Sequence, residues 1–90
     1  MSNIWINYKE RKLKNSENYS KIYRAINIKT GKNEVIKEIN KYEVNIEELK
    51  KEIERMKNEE NIVKINEIKE DNDFFYMIMD LYSFNLEKII

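Results

Sequence analysis

The run IYRAINIKTGKNEVIKEI, Ile22 to Ile39, decides the fold. Its first part alternates, with Ile22, Ile26 and Ile28 on one face and Arg24 interrupting them. Lys29-Thr30-Gly31-Lys32 follows, and Gly31 supplies the left-handed conformation that a short hairpin loop needs. The run from Glu34 to Ile39 reads as the returning strand, with Val35, Lys37 and Ile39 on one face. A β-hairpin results.

Outward from the hairpin, Tyr8 to Leu13 predicts a polar first strand and Lys14 to Ser20 (KNSENYS) a turn. On the other side the period changes from two to between three and four. Ile46, Leu49, Ile53 and Met56 form the apolar stripe of an amphipathic helix over 46–58, with Lys and Glu filling most other positions. Asn45 suits the N-cap, and Glu47 and Glu48 suit the positive end of the helix dipole. Ile62 to Ile68 predicts a strand, Glu70 to Asp73 a polar turn, and FFYMIMDL, Phe74 to Leu81, a strand buried on both faces. Leu86 to Ile90 predicts the start of a last helix. The order is β-β-β-α-β-β in one unit over 1–90, an α+β fold whose five-stranded antiparallel sheet carries one packed helix.

Composition narrows the function classes. The 90 residues hold 17 basic and 17 acidic side chains, a formal net charge of zero. That balance gives no electrostatic case for nucleic acid or an anionic membrane. No cysteine or histidine is present, which removes disulfides, thiolate metal sites and the commonest general base. No apolar run approaches the roughly 20 residues of a membrane span, and Met1 to Glu10 does not resemble a signal peptide. An intracellular, cytoplasmic location is expected. With 41% hydrophobic residues and ten aromatic ones, a folded chain is expected over a disordered one.

The chemistry centres on Lys37. Val35 and Ile39 flank it on its own face, so its ammonium needs a partner or a wet cavity; burying it alone costs several kcal/mol, of order the penalty for any partly desolvated ion. Glu52 lies three residues after Leu49 and four before Met56, beside the apolar stripe. A strand lysine and an inward helix glutamate can meet once the helix packs on the sheet. Such a pair would aim the ammonium at a phosphate. If partly exposed, it contributes only ~0–1 kcal/mol to stability. The plain alternative is a snorkelling Lys37 and a solvated Glu52.

Several segments together resemble the Ser/Thr protein kinases. Ile22-Tyr23-Arg24-Ala25 and Thr30 to Ile39 resemble V-Y-K-A and T-G-K-x-V-A-I-K-x-I. Leu49 to Ile53 resembles the middle of the family's C helix, Asn61 to Ile65 resembles N-I-V-K-L, and Phe75 to Leu81 resembles F-Y-L-V-M-E-L before the hinge. The pieces are colinear and cover Tyr8 to Ile90. The resemblance implies the N-terminal, small lobe of a protein kinase. It further implies that Lys37 holds the ATP phosphates with Glu52 as its ion-pair partner. Val35 would lie against the adenine, Leu13 and Ile22 above it, Met79 at the back as gatekeeper, and Asp80, Leu81 and Tyr82 in the hinge.

The sequence also departs from the family. Lys14 to Lys21 carries no glycine where the family has its glycine-rich loop, and is one residue longer. Glycines there let backbone N–H groups approach phosphates; Glu17 and Ser20 would obstruct them. Tyr19 takes the place of the loop-tip aromatic, and Glu34 replaces a usual valine. No H-R-D-x-x-x-x-N or D-F-G motif occurs in these 90 residues. ATP binding is therefore expected to be weak, Mg²⁺ to require a second lobe, and turnover by this chain to be absent. Three readings follow. The chain is part of a kinase domain, a pseudokinase lobe that regulates a kinase as binder or decoy, or a small α+β interaction domain unrelated to kinases. A protein partner, a kinase C-terminal lobe or self-association is expected to cover exposed apolar surface.

Overall fold

The computed structural model describes residues 3–57 and 63–81. It contains β1 (Tyr8–Ser16), β2 (Ser20–Asn27), β3 (Asn33–Asn40), α1 (Ile46–Lys57), β4 (Val63–Glu70) and β5 (Phe74–Leu81), preceded by a 3-10 turn at Ile4–Asn7. The strands form one antiparallel sheet in the order β1-β2-β3-β5-β4. The expected α+β architecture is the one observed. The helix expected from Leu86 lies outside the described residues.

Local chemistry fixes each turn. Between β2 and β3, Gly31 adopts φ 74° and donates its N–H to the Asn27 carbonyl at 2.8 Å. Asn27 Oδ1 accepts the N–H groups of Lys29 and Thr30, the side-chain mimicry of a turn that Asn favours. Between β4 and β5, Asp71 Oδ1 accepts from the N–H groups of Asp73 and Phe74, each at 2.8 Å. The helix begins with a reciprocal cap: Asn45 Oδ1 accepts Glu48 N–H at 2.8 Å, and Glu48 Oε1 accepts Asn45 N–H at 3.3 Å.

The sheet buries both faces. On one, Ile22, Val35, Ile39, Met77 and Met79 are buried and meet Leu49 and Ile53 of α1, with Tyr19, Val44, Ile65 and Phe75 packed around them. On the other, Ala25, Ile36, Tyr76 and Ile78 are buried under Ile4, with Trp5, Tyr8 and Phe74 beside them. The 3-10 turn thus covers the face that α1 does not. Fully burying each large apolar side chain stabilises by about 1.5–3 kcal/mol, so the central strands β3 and β5 carry most of the core. β1 is an edge strand, largely exposed and rich in Lys, Glu and Arg, which discourages pairing with another chain.

Three expectations change. The strand expected to stop at Ile68 continues to Glu70, which pairs with Phe75 where a turn residue was expected. The first strand runs three residues further, to Ser16, and the turn shrinks to Glu17–Tyr19, closed by Glu17 N–H to Ser20 O at 2.8 Å. Ile46, placed on the apolar stripe by spacing, is 62% exposed, because this first helical residue projects beyond the cluster that holds Leu49 and Ile53.

Candidate functional site: a buried lysine under the sheet

Strand register assembles the site. In the ladder, Lys37 stands opposite Ile22 of β2 and opposite Met77 of β5, and Val35 stands opposite Met79. Ile22, Val35, Met77 and Met79 therefore make an apolar wall around one central cation. Lys37 is 2% exposed. An ammonium so placed needs an anion, and α1 supplies it: Lys37 Nζ pairs with Glu52 Oε1, whose residue is 8% exposed. The helix is held in the right rotation by Leu49 and Ile53, which flank Glu52 and pack on the wall.

Two further charges act on this pair. Arg55, one turn along α1, places Nη2 2.7 Å from Glu52 Oε1. Burial, followed by the Arg55 charge, lowers the Lys37 pKa to about 8, while the Glu17 carboxylate acts in the opposite direction. The contact with Glu52 likewise favours the ammonium. Both members are buried, so the ~0–1 kcal/mol of an exposed pair does not apply. Removing one partner of a buried pair costs about 3–5 kcal/mol when the other is left alone.

The other expected site residues are placed as follows. Leu13 does not join Ile22. A register break at Leu13–Asn15 sets Leu13 opposite Tyr23 and Asn15 opposite Ile22, and Leu13 is 53% exposed. Paired with Tyr23 at this bulge, Leu13 lies on the face opposite Ile22. Asp80 stands opposite Glu34 and Lys64 in the ladder and accepts a hydrogen bond from Asn66 Nδ2 at 2.5 Å. Leu81 ends β5 opposite Val63. Tyr82 lies outside the described residues.

The β1–β2 turn does not form a phosphate cradle. Among the described residues only Glu10 and Gly31 have positive φ, so the backbone between Lys14 and Lys21 lacks the left-handed steps of an anion nest. Ser20 is buried in β2 opposite Ile39, and Tyr19 packs on the core below the sheet. Glu34, unusual at its position, is buried and accepts from Tyr8 Oη at 2.6 Å and from Asn27 Nδ2 at 3.3 Å. The sequence reading missed Arg55; its i,i+3 spacing from Glu52 was the available signal. Among the described residues no group of three or more acidic side chains could hold a metal ion, and no helix is long and apolar enough to cross a membrane.

Five antiparallel strands with one helix, and a central-strand lysine paired to a helix glutamate, fit the small lobe of a protein kinase. The chain is 44% identical to calcium-dependent protein kinase 5 of Plasmodium berghei (strain Anka) over 66 residues, which are 70% of this chain and 12% of that protein. It is 39% identical to calcium-dependent protein kinase 5 of Plasmodium falciparum (isolate 3D7), with the same coverage. The chain thus spans about an eighth of the length of these relatives. No protein-family model matches it. The similarity and the five-stranded sheet fit a kinase N-lobe-like chain.

Proposed function

We propose that this chain is the nucleotide-side lobe of a Ser/Thr protein kinase domain, holding ATP weakly and transferring no phosphoryl group by itself. The observation that carries the reading is the buried Lys37–Glu52 pair. Ile22, Val35 and Met79 fit the apolar side against which a purine would lie, and Lys37 fits a phosphate-facing cation. Phosphoryl transfer relies on a base, on metal ligands and on charge-stabilising groups held in line. The motifs that supply the base and metal ligands in the family are not in these 90 residues. A kinase C-terminal lobe or another protein partner would complete the site.

A pseudokinase lobe that regulates a kinase is the second reading, and the β1–β2 turn favours it. That turn has no glycine, presents Glu17 towards the field of Lys37, and sends Tyr19 into the core. Calorimetric titration with Mg²⁺–ATP tests the proposal. Millimolar or undetectable binding, with no ATP-dependent phosphorylation of a generic substrate, is expected. Micromolar binding, or transfer by a contaminant-free sample, would overturn it. The coding sequence that follows Ile90 separates the two readings: an H-R-D motif supports the kinase domain, and a stop codon supports the regulator.

A further inference from the structure

A cleft opens on the sheet face away from Lys37. Trp5, Phe74 and Tyr76 line it together with Glu38, Asp71 and Asp73. Its aromatic wall is built of ring contacts: Trp5 meets Tyr76 edge-on at 6.2 Å, and Phe74 meets Tyr76 at 6.0 Å. Glu38 projects from the central strand β3, opposite Tyr76, and is 9% exposed. Among the described residues no cation lies within ion-pair distance of its carboxylate. Asp71 is fixed by its turn and by Tyr76 Oη, which donates to Oδ2 at 3.1 Å. One cation, Arg11, lines the same cleft, with its guanidinium 4.5 Å from the Trp5 ring centroid. Three carboxylates against one guanidinium leave the lining with a net charge of −2.

Aromatic faces attract cations through the ring quadrupole, more strongly where water is excluded. Arg11 on Trp5 is an internal instance of this contact. A buried carboxylate without a direct ion pair gains from a cation brought to it. We propose that this cleft binds an arginine or lysine side chain of a basic peptide segment in a partner protein. Charge complementarity and the aromatic lining select that occupant. Burial raises the Glu38 pKa; the charges of Lys21 and Arg11 and a hydrogen bond with Trp5 act against that rise, and Asp71 adds to it. The proposal does not depend on nucleotide binding at Lys37.

Trp5 is the chain's single tryptophan, so its indole N–H gives one resolved signal in a ¹⁵N-labelled sample. The probe is acetyl-Gly-Arg-Gly-amide, compared with the same peptide carrying citrulline and with guanidinium chloride at equal concentration. A saturable shift is expected with the arginine peptide only. Glu38→Gln should weaken binding at least tenfold, and Arg11→Ala, which removes the competing charge, should tighten it about threefold. The Arg11 variant moves affinity upward, so damage to the fold cannot imitate it. Absence of saturation, an equal response to citrulline or to guanidinium chloride, or weaker binding by Arg11→Ala would overturn the proposal.

Discussion

One carboxylate oxygen of Glu52 serves both Lys37 and Arg55. Lys37 reaches it from the central strand, and Arg55 Nη2 lies 2.7 Å away on the same helix. The lysine is buried, whereas the Arg55 side chain is 53% exposed. Arg55 can therefore leave for solvent while Lys37 cannot.

Arg55→Ala should raise the Lys37 pKa above about 8, because the guanidinium charge disfavours the ammonium beside it. A pH titration of the lysine side-chain NMR signals reads this directly. An unchanged Lys37 pKa would show that Arg55 exerts no field on the site.

Stability should rise with pH between about 8 and 10.5, the lowered and ordinary values for Lys37. In that window the unfolded chain holds more protons on this lysine than the folded chain, so unfolding becomes harder as pH increases. The gain is on the order of 1–3 kcal/mol. Tyr8 and Tyr76 act oppositely. Burial first, then hydrogen bonding to Glu34 and to Asp71 respectively, raises their pKa values, so their contribution is lost as pH climbs past the ordinary 10.0. Urea midpoints across this range should pass through a maximum, and Lys37→Met should abolish the rising limb. A rising limb that persists in the variant would assign it to another group.

Gly31→Val should lower stability by about 1–2 kcal/mol. Its φ of 74° is left-handed, and a Cβ there meets nothing within 4 Å, so the penalty is one of backbone conformation alone. Thermal unfolding checks it; an unchanged midpoint would place the turn's constraint in the Asn27 side chain instead.

Much of the fold was legible because alternation and helical spacing report burial directly. Val35, Lys37 and Ile39 share a face as strand geometry requires, and Glu52 sits beside Leu49 and Ile53 as helix geometry requires. Leu13 was misread because a bulge shifts facing by one residue without leaving a mark on local periodicity. The Ile4–Asn7 turn escaped notice for a related reason. Four residues are too few to show a period, and what Ile4 and Trp5 contribute is tertiary: a lid over Ala25, Ile36 and Ile78. Depth of burial was also out of reach, since spacing shows that Glu52 lies near the stripe but not that it is only 8% exposed.

A double-mutant cycle on Lys37→Met and Glu52→Gln, followed by urea unfolding, tests the buried pair most directly. Each single change leaves one buried group short of its partner, while the double change removes both charges. Arg55 remains beside Glu52 in the Lys37 variant and softens that loss. The account predicts a coupling energy of at least about 1.5 kcal/mol, with the double variant more stable than additivity allows. Additive effects, within about 0.5 kcal/mol, would mean that Lys37 and Glu52 do not act as a pair, and the lobe would lose the charge arrangement on which its proposed function rests.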